Sequence, residues 1–178
     1  MNDLRVIGLA GWSGAGKTTL LARLIPVLVA RGMRVATLKH AHHAFDIDQP
    51  GKDSFVHRQA GASEVIVSSA RRWAQIREVG EGAEATLPEL LRRLTPTGLA
   101  LVEGFKREAH PKLEVFRAAN GRPPLHGDDP RIVGIASDVP FPQAAVPVVG
   151  LDDIEAIADL VTERAEALET VLARLERP

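Results

Sequence analysis

The chain has 178 residues, a formal net charge of -1, 45% hydrophobic and 25% charged residues, and no cysteine. That length and balance suit one α/β domain of ordinary composition. They argue against a global electrostatic pull on nucleic acid or membrane, and the missing cysteines exclude disulfides and thiolate metal sites. Aromatic residues are only 4%, so a core has to be built from Leu, Val, Ile and Ala. No apolar run reaches membrane-spanning length. The N-terminus runs straight into a predicted strand, so no removable signal peptide is expected and a cytoplasmic location is.

In chain order, residues 4–10 predict a buried strand and 18–31 a helix, kinked at Pro26 and ended by Gly32. Residues 34–38 predict a second strand. Residues 40–51 lack a period and carry Pro50-Gly51, which predicts a loop. A short helix over 54–60, a third strand over 64–68 and a less buried strand over 73–79 follow. Residues 87–94 predict a short helix, 98–102 a strongly apolar central strand, and 112–116 another strand. Residues 120–130 predict a surface loop and 132–136 the next buried strand. A final helix is expected over 153–174, opened by a capping box of Asp152 with Glu155. Its stripe of Ile154, Ile157, Val161, Ala165, Leu168, Leu172 and Leu175 suits packing on a sheet, or a dimer seam. Strand–helix alternation predicts a three-layer α/β fold, with a mostly parallel central sheet and helices on both faces. With no repeat or linker visible, residues 1–178 read as a single domain.

Gly11-Trp12-Ser13-Gly14-Ala15-Gly16-Lys17-Thr18 fits G-x-x-x-x-G-K-[ST] at every specified position, between a predicted strand and a predicted helix. Such a loop implies a nucleoside triphosphate with Mg²⁺. The glycines let backbone N–H groups approach the phosphates, and the following helix adds the positive end of its dipole. Lys17 is assigned to the β- and γ-phosphates, Thr18 to Mg²⁺ and Thr19 to the α-phosphate. The dinucleotide pattern fails, because Ser13 and Thr19 stand where glycines are needed.

A second cluster follows the second strand, Lys39-His40-Ala41-His42-His43-Ala44-Phe45-Asp46-Ile47-Asp48-Gln49-Pro50-Gly51-Lys52-Asp53-Ser54, with His57 beyond. It starts on the sheet edge where α/β proteins place ligands. The segment reads as a polar surface loop, as a His₂–carboxylate metal site, or as a loop closing over the γ-phosphate or its magnesium. In the last reading His42 and His43 face the nucleotide, Asp46 has a catalytic role, Asp48 meets the metal directly or through water, and Lys39 offsets phosphate charge.

GWSGAGKTTL, LKHAHHAFDIDQPGKDS, HRQAGASEV and LALVEGFK together resemble the molybdopterin-guanine dinucleotide biosynthesis adaptor family, MobB, from about Val6 to Lys106 and more weakly to Asp138. The pattern KHxHHxFDxDxPGKDS carries the specificity. The resemblance implies a P-loop NTPase fold and a homodimer that binds GTP and hydrolyses it weakly. It also implies action beside the molybdenum cofactor guanylyltransferase that joins GMP to molybdopterin, and contact with molybdopterin-bearing proteins.

The strand over 98–102 ends in Glu103-Gly104, where phosphate-loop proteins usually have Asp to steady magnesium. Glu103 is a candidate to hold a metal-bound water or orient an attacking one; it also suits a loop cap. No [NT]-K-x-D tetrapeptide is present. Asp138, ending a buried strand, is the candidate for guanine, or a turn residue before Pro140. A small-molecule kinase is the alternative function, although no long basic lid helix is evident. A nucleic-acid-dependent ATPase is disfavoured by the near-zero charge.

Overall fold

A computed structural model describes residues 3–41, 45–80 and 84–177. The chain forms two compact units, Met1–His40 with Leu87–Pro178, and Ala41–Thr86. The boundary at residue 41 falls where the sequence loses its period.

The first unit is built on strands β1 (Arg5–Ala10), β2 (Val35–Lys39), and, beyond the 41–86 segment, strands of residues Leu99–Glu103, Lys112–Phe116, Ile132–Ser137 and Val148–Gly150. In chain order these last four are β5 to β8, because β3 (Glu64–Ser68) and β4 (Trp73–Arg77) belong to the second unit. The sheet order is β2-β5-β1-β6-β7-β8, all parallel. Five of six β1 residues are buried, as are the first four of β5. Near-continuous apolar runs of this kind mark strands covered on both faces.

Helix α1 (Lys17–Ala30) and helix α4 (Ile154–Arg164) cover one face, packing Leu20, Leu24, Leu28, Ile157 and Val161 against Ile7, Leu9, Leu99 and Leu101. Helices α3 (Leu87–Leu91) and α5 (Leu168–Leu175) cover the other, where Leu87, Leu91, Leu168 and Leu172 meet Leu4, Val6, Ala100 and Val102. The three-layer expectation therefore holds. Pro26 lies inside α1 without ending it.

The C-terminal helix is corrected. It breaks after Arg164, and Glu166–Ala167 form a two-residue strand, β9, antiparallel to β1. Nothing in Ala165-Glu166-Ala167 disfavours helix by propensity. The break is a tertiary decision: β6 pairs only with Gly8–Ala10, and β9 takes the free edge at Arg5 and Val6. Arg5 then caps the stranded helix end, its guanidinium donating to Thr162 O at 3.0 Å and to Ala165 O. The apolar stripe is split, with Ile157, Val161 and Ala165 on one face and Leu168 and Leu172 on the other. A continuous coiled-coil seam is excluded by that division. The cap also shifts by one residue: Asp153, not Asp152, accepts from Ala156 N at 3.0 Å, while Asp152 pairs with Arg23.

The second unit holds helix α2 (Asp53–Gln59) and the antiparallel hairpin β3–β4. The third predicted strand, over 64–68, thus forms and belongs to a hairpin, not to the parallel sheet. Only four residues separate β3 from β4, too few for a parallel crossover. No residue of α2 is buried, and Ile66, Val67 and Trp73 are exposed. Among the described residues no helix is long and apolar enough to cross a membrane.

Candidate nucleotide site

The loop after β1 is held in conformations that need glycine. Gly16 caps α1 at φ 91°, a left-handed value, and no side chain takes the cap position. The first turn of α1 carries no acidic residue, so its N–H groups and dipole face outward unopposed. At Gly11 a Cβ would come within 2.6 Å of Val115 O, so only glycine lets β6 pass this close. Ala15 is buried in the main core and anchors the loop from below.

Lys17 folds back over the loop, its Nζ donating to Gly11 O at 2.9 Å and Trp12 O at 3.2 Å. Burial lowers its pKa from the usual lysine value. Glu103 opposes that shift, while Lys106 and Lys39 add to it. A polyphosphate would reverse the balance, giving three neighbouring ammonium groups the counter-charge that one carboxylate cannot supply.

Sheet register assembles the second half of the site. Glu103 lies level with Leu9 on β1 and with Lys39 on β2. Thr18 Oγ1 donates to Glu103 Oε1 at 3.3 Å, and Lys39 Nζ stands 3.8 Å from Glu103 Oε2. The structure therefore brings Lys17, Thr18, Lys39 and Glu103 together from three separate elements. Thr19 follows, exposed, in the first turn of α1. A hydroxyl and a carboxylate side by side, with no nitrogen or sulfur donor, suit a hard cation such as Mg²⁺ that keeps most of its waters. Beyond Glu103, Gly104 and then Phe105, at φ 48°, turn the chain sharply, and Phe105 stacks on His40 with ring centroids 4.8 Å apart. A left-handed aromatic residue is strained, and such strain gathers at functional sites.

Asp46 and Asp48 have other partners. Both lie in the second unit, where Arg58 Nη2 binds Asp46 at 2.8 Å, Arg58 Nε binds Asp48 at 3.2 Å, and Arg58 Nη1 binds Glu78 at 2.7 Å. Asp48 also accepts from Ser54 Oγ and Gln49 N. The Arg58 guanidinium holds the Asp46 carboxyl below its ordinary range. Burial works against ionisation of Asp48, yet its pKa is also lowered, by Ser54, the Gln49 N–H and Arg58. Asp46, expected in a catalytic role, and Asp48, expected to meet the metal, here tie the loop to α2 and the hairpin. Among the described residues no group of three or more His, Asp or Glu could hold a metal. His42 and His43 lie outside the described residues.

Asp138 follows the last residue of β7, at the rim of an open depression of about 480 Å³ lined by Ser137–Pro142 and Val148–Gly150. Its Oδ1 accepts from Ala118 N at 2.8 Å, capping a short 3-10 turn over Ala118–Asn120. The surface loop expected over 120–130 begins in this turn, which reaches back to the phosphate loop. Asn120 Nδ2 donates to Ser13 O at 3.1 Å, and Trp12 Nε1 donates to Pro123 O at 2.8 Å. Lys106 Nζ and the Arg122 guanidinium each stand 5.6 Å from the Trp12 ring centre. Arg117, Asn120 and Arg122 all follow a strand that ends on the ligand edge, which was the available signal.

A parallel sheet whose first strand feeds a glycine-bent loop into a helix, with a lysine at the loop and a carboxylate on the neighbouring strand, defines the P-loop NTPase fold. Within that class, the sequence profile described as "MobB: Molybdopterin guanine dinucleotide synthesis protein B" matches residues 6–138. The chain is 44% identical over 161 residues to the molybdopterin-guanine dinucleotide biosynthesis adapter protein of Escherichia coli K12, covering 89% of this chain and 91% of that one. It is 38% identical over 162 residues to the protein of the same description from Haemophilus influenzae, covering 90% and 89%. A crystal structure titled as molybdopterin-guanine biosynthesis protein B (mobB) superposes with a TM-score of 0.71 at 27% identity, over 89% of this chain and 97% of that chain. The chain belongs to the MobB family.

Proposed function

We propose that the protein is a GTP-binding adapter that assists attachment of the guanine nucleotide to molybdopterin in molybdenum cofactor biosynthesis, and that it hydrolyses GTP slowly. The adapter role is supported by family membership and by the names its relatives carry. The observation that carries nucleotide binding is the convergence of Lys17, Thr18, Lys39 and Glu103 on the glycine loop. In this reading backbone N–H groups of residues 14–18 cradle the phosphates, and Lys17 leaves the loop carbonyls for them. Thr18 and Glu103 hold Mg²⁺, which when bound neutralises charge on the phosphate oxygens. Slow turnover is supported by Glu103 itself, whose two carboxylate oxygens are engaged by Thr18 and Lys39.

The guanine base is assigned to the depression beside Asp138, one of whose carboxylate oxygens already caps the Ala118 turn. The partner is the guanylyltransferase, with molybdopterin-bearing proteins beyond it. We assign the protein to the cytoplasm, as a homodimer.

Titration calorimetry with GTP and ATP in the presence of Mg²⁺ tests the reading. Lys17→Ala is expected to lower GTP affinity by at least about 100-fold, since it removes a charge-assisted phosphate contact and leaves the buried phosphate unpaired. Asp138→Ala is expected to narrow the preference for GTP over ATP. Undiminished binding by Lys17→Ala would remove the phosphate-loop assignment, and unchanged discrimination would remove Asp138 from the base site.

A further inference from the structure

We propose that Arg117 contacts the phosphate chain of the bound nucleotide, a cation delivered from the segment after β6 rather than from the phosphate loop. The inference rests on the nucleotide-binding reading above and adds a residue that reading does not contain.

Arg117 immediately precedes the Ala118–Asn120 turn. Its Nη2 lies 3.8 Å, and its Nε 4.0 Å, from the point a Cβ on Gly16 would occupy. The guanidinium therefore rests against the glycine that both closes the anion nest and caps α1. Three arginines elsewhere in the chain are taken up by carboxylates: Arg23 meets Asp152, Arg31 meets Glu155 and Asp159, and Arg58 meets three. Arg117 is exposed and has no carboxylate partner among the described residues. A guanidinium resting against Gly16, the residue before Lys17, with no carboxylate of its own is a charge arrangement that an anion completes.

Its backbone is held in place. The Ala118 N–H is bound by Asp138 at the end of β7, Asn120 grips Ser13 O, and Pro123 O accepts from the Trp12 indole. The strap over residues 117–123 is pinned once to the sheet and twice to the phosphate loop. Only side-chain torsions remain to be set when phosphate arrives, so little ordering opposes the contact. Arginine stays charged at every physiological pH, and its planar fork matches two phosphate oxygens at once. The bland alternative, a solvated surface arginine, predicts no effect on nucleotide affinity.

The test is calorimetric titration of the full chain with GTP and GDP in Mg²⁺, for wild type, Arg117→Gln and Arg117→Lys. Arg117→Gln is expected to weaken both nucleotides about 10- to 100-fold, the range for one charge-assisted hydrogen bond. Arg117→Lys should recover part of the loss, because it keeps the charge without the fork. Affinity of Arg117→Gln within twofold of wild type, or a lysine variant no better than glutamine, overturns the assignment of Arg117 while leaving nucleotide binding intact. A wild-type protein that binds neither nucleotide overturns the phosphate-loop reading, and Arg117 with it.

Discussion

At the scale of single residues, His110 carries the sharpest consequence outside the site. It is fully buried, and neither ring nitrogen has a hydrogen-bond partner within ordinary geometry. Gly8 on β1 makes the room: a Cβ there would strike the imidazole Nε2 and lie 2.7 Å from its Cδ2. Burial first, and then the Lys112 ammonium, push the His110 pKa down to about 3, with Asp129 opposing. The imidazole is therefore neutral in the fold and protonates in the unfolded chain near 6.5. Between those values the unfolded state binds more protons. His110 thus costs nothing above pH 6.5 and lowers stability progressively as pH falls toward 3. From pH 7 to pH 4.5 the loss is about 2–3 kcal/mol at 1.36 kcal/mol per unit. Urea unfolding of His110→Leu should show an acid limb flatter by that amount; parallel limbs would mean that the buried ring titrates like an exposed one.

At the scale of elements, the break between α4 and α5 governs the C-terminal third. Residues 153–174 look like one amphipathic helix because every local preference in them is helical. What divides them is Arg5, whose guanidinium takes the Thr162 and Ala165 carbonyls at the end of α4, and the edge of β1 that β9 fills. Arg5→Ala removes hydrogen bonds from a charged donor to at least two helix-end carbonyls and should cost about 1–3 kcal/mol of stability, read from chemical denaturation. An effect below about 0.5 kcal/mol would place the determinant of the break in the core contacts of Leu168 and Leu172 instead. The hairpin shows the opposite kind of misreading. Glu64–Ser68 has the apolar content of a sheet strand, but its four-residue link to Trp73 allows only antiparallel pairing. There the information was in the spacing, whereas at Glu166 no local signal existed.

At the scale of the whole molecule, the net charge of -1 conceals a strongly uneven distribution. Lys17, Lys39, Lys106, Arg117 and Arg122 are gathered at or beside one loop, so the field that an anionic ligand meets is positive although the chain is not. Burial is uneven too. Among the described residues the sheet unit holds every buried core cluster, while Ala41–Thr86 is kept together by the Arg58 ion pairs and the hairpin ladder, with no buried hydrophobic residue of its own. Ladder bonds open to water exchange readily. Amide hydrogen exchange should therefore find β3, β4 and α2 markedly less protected than β1, β5 and β7, and Arg58→Ala should lower protection in residues 45–80 selectively. Equal protection across both units would contradict this account.

The sequence by itself determined the phosphate loop, its lysine and threonine, the parallel sheet and the family. These rest on local patterns: a glycine spacing that only a close-packed anion nest requires, apolar runs bounded by turns, and a motif whose residues are contiguous. Tertiary structure alone decided which carboxylates stand at that loop. Glu103 reaches Thr18 because register aligns β5 with β1, while Asp46 and Asp48, promising in the sequence, are claimed by an arginine ten and more positions away. It also decided that Arg117 lies against Gly16, across a hundred residues of chain. Long-range pairing of charges depends on how strands are ordered and loops are pinned, and nothing in the spacing of single residues encodes it.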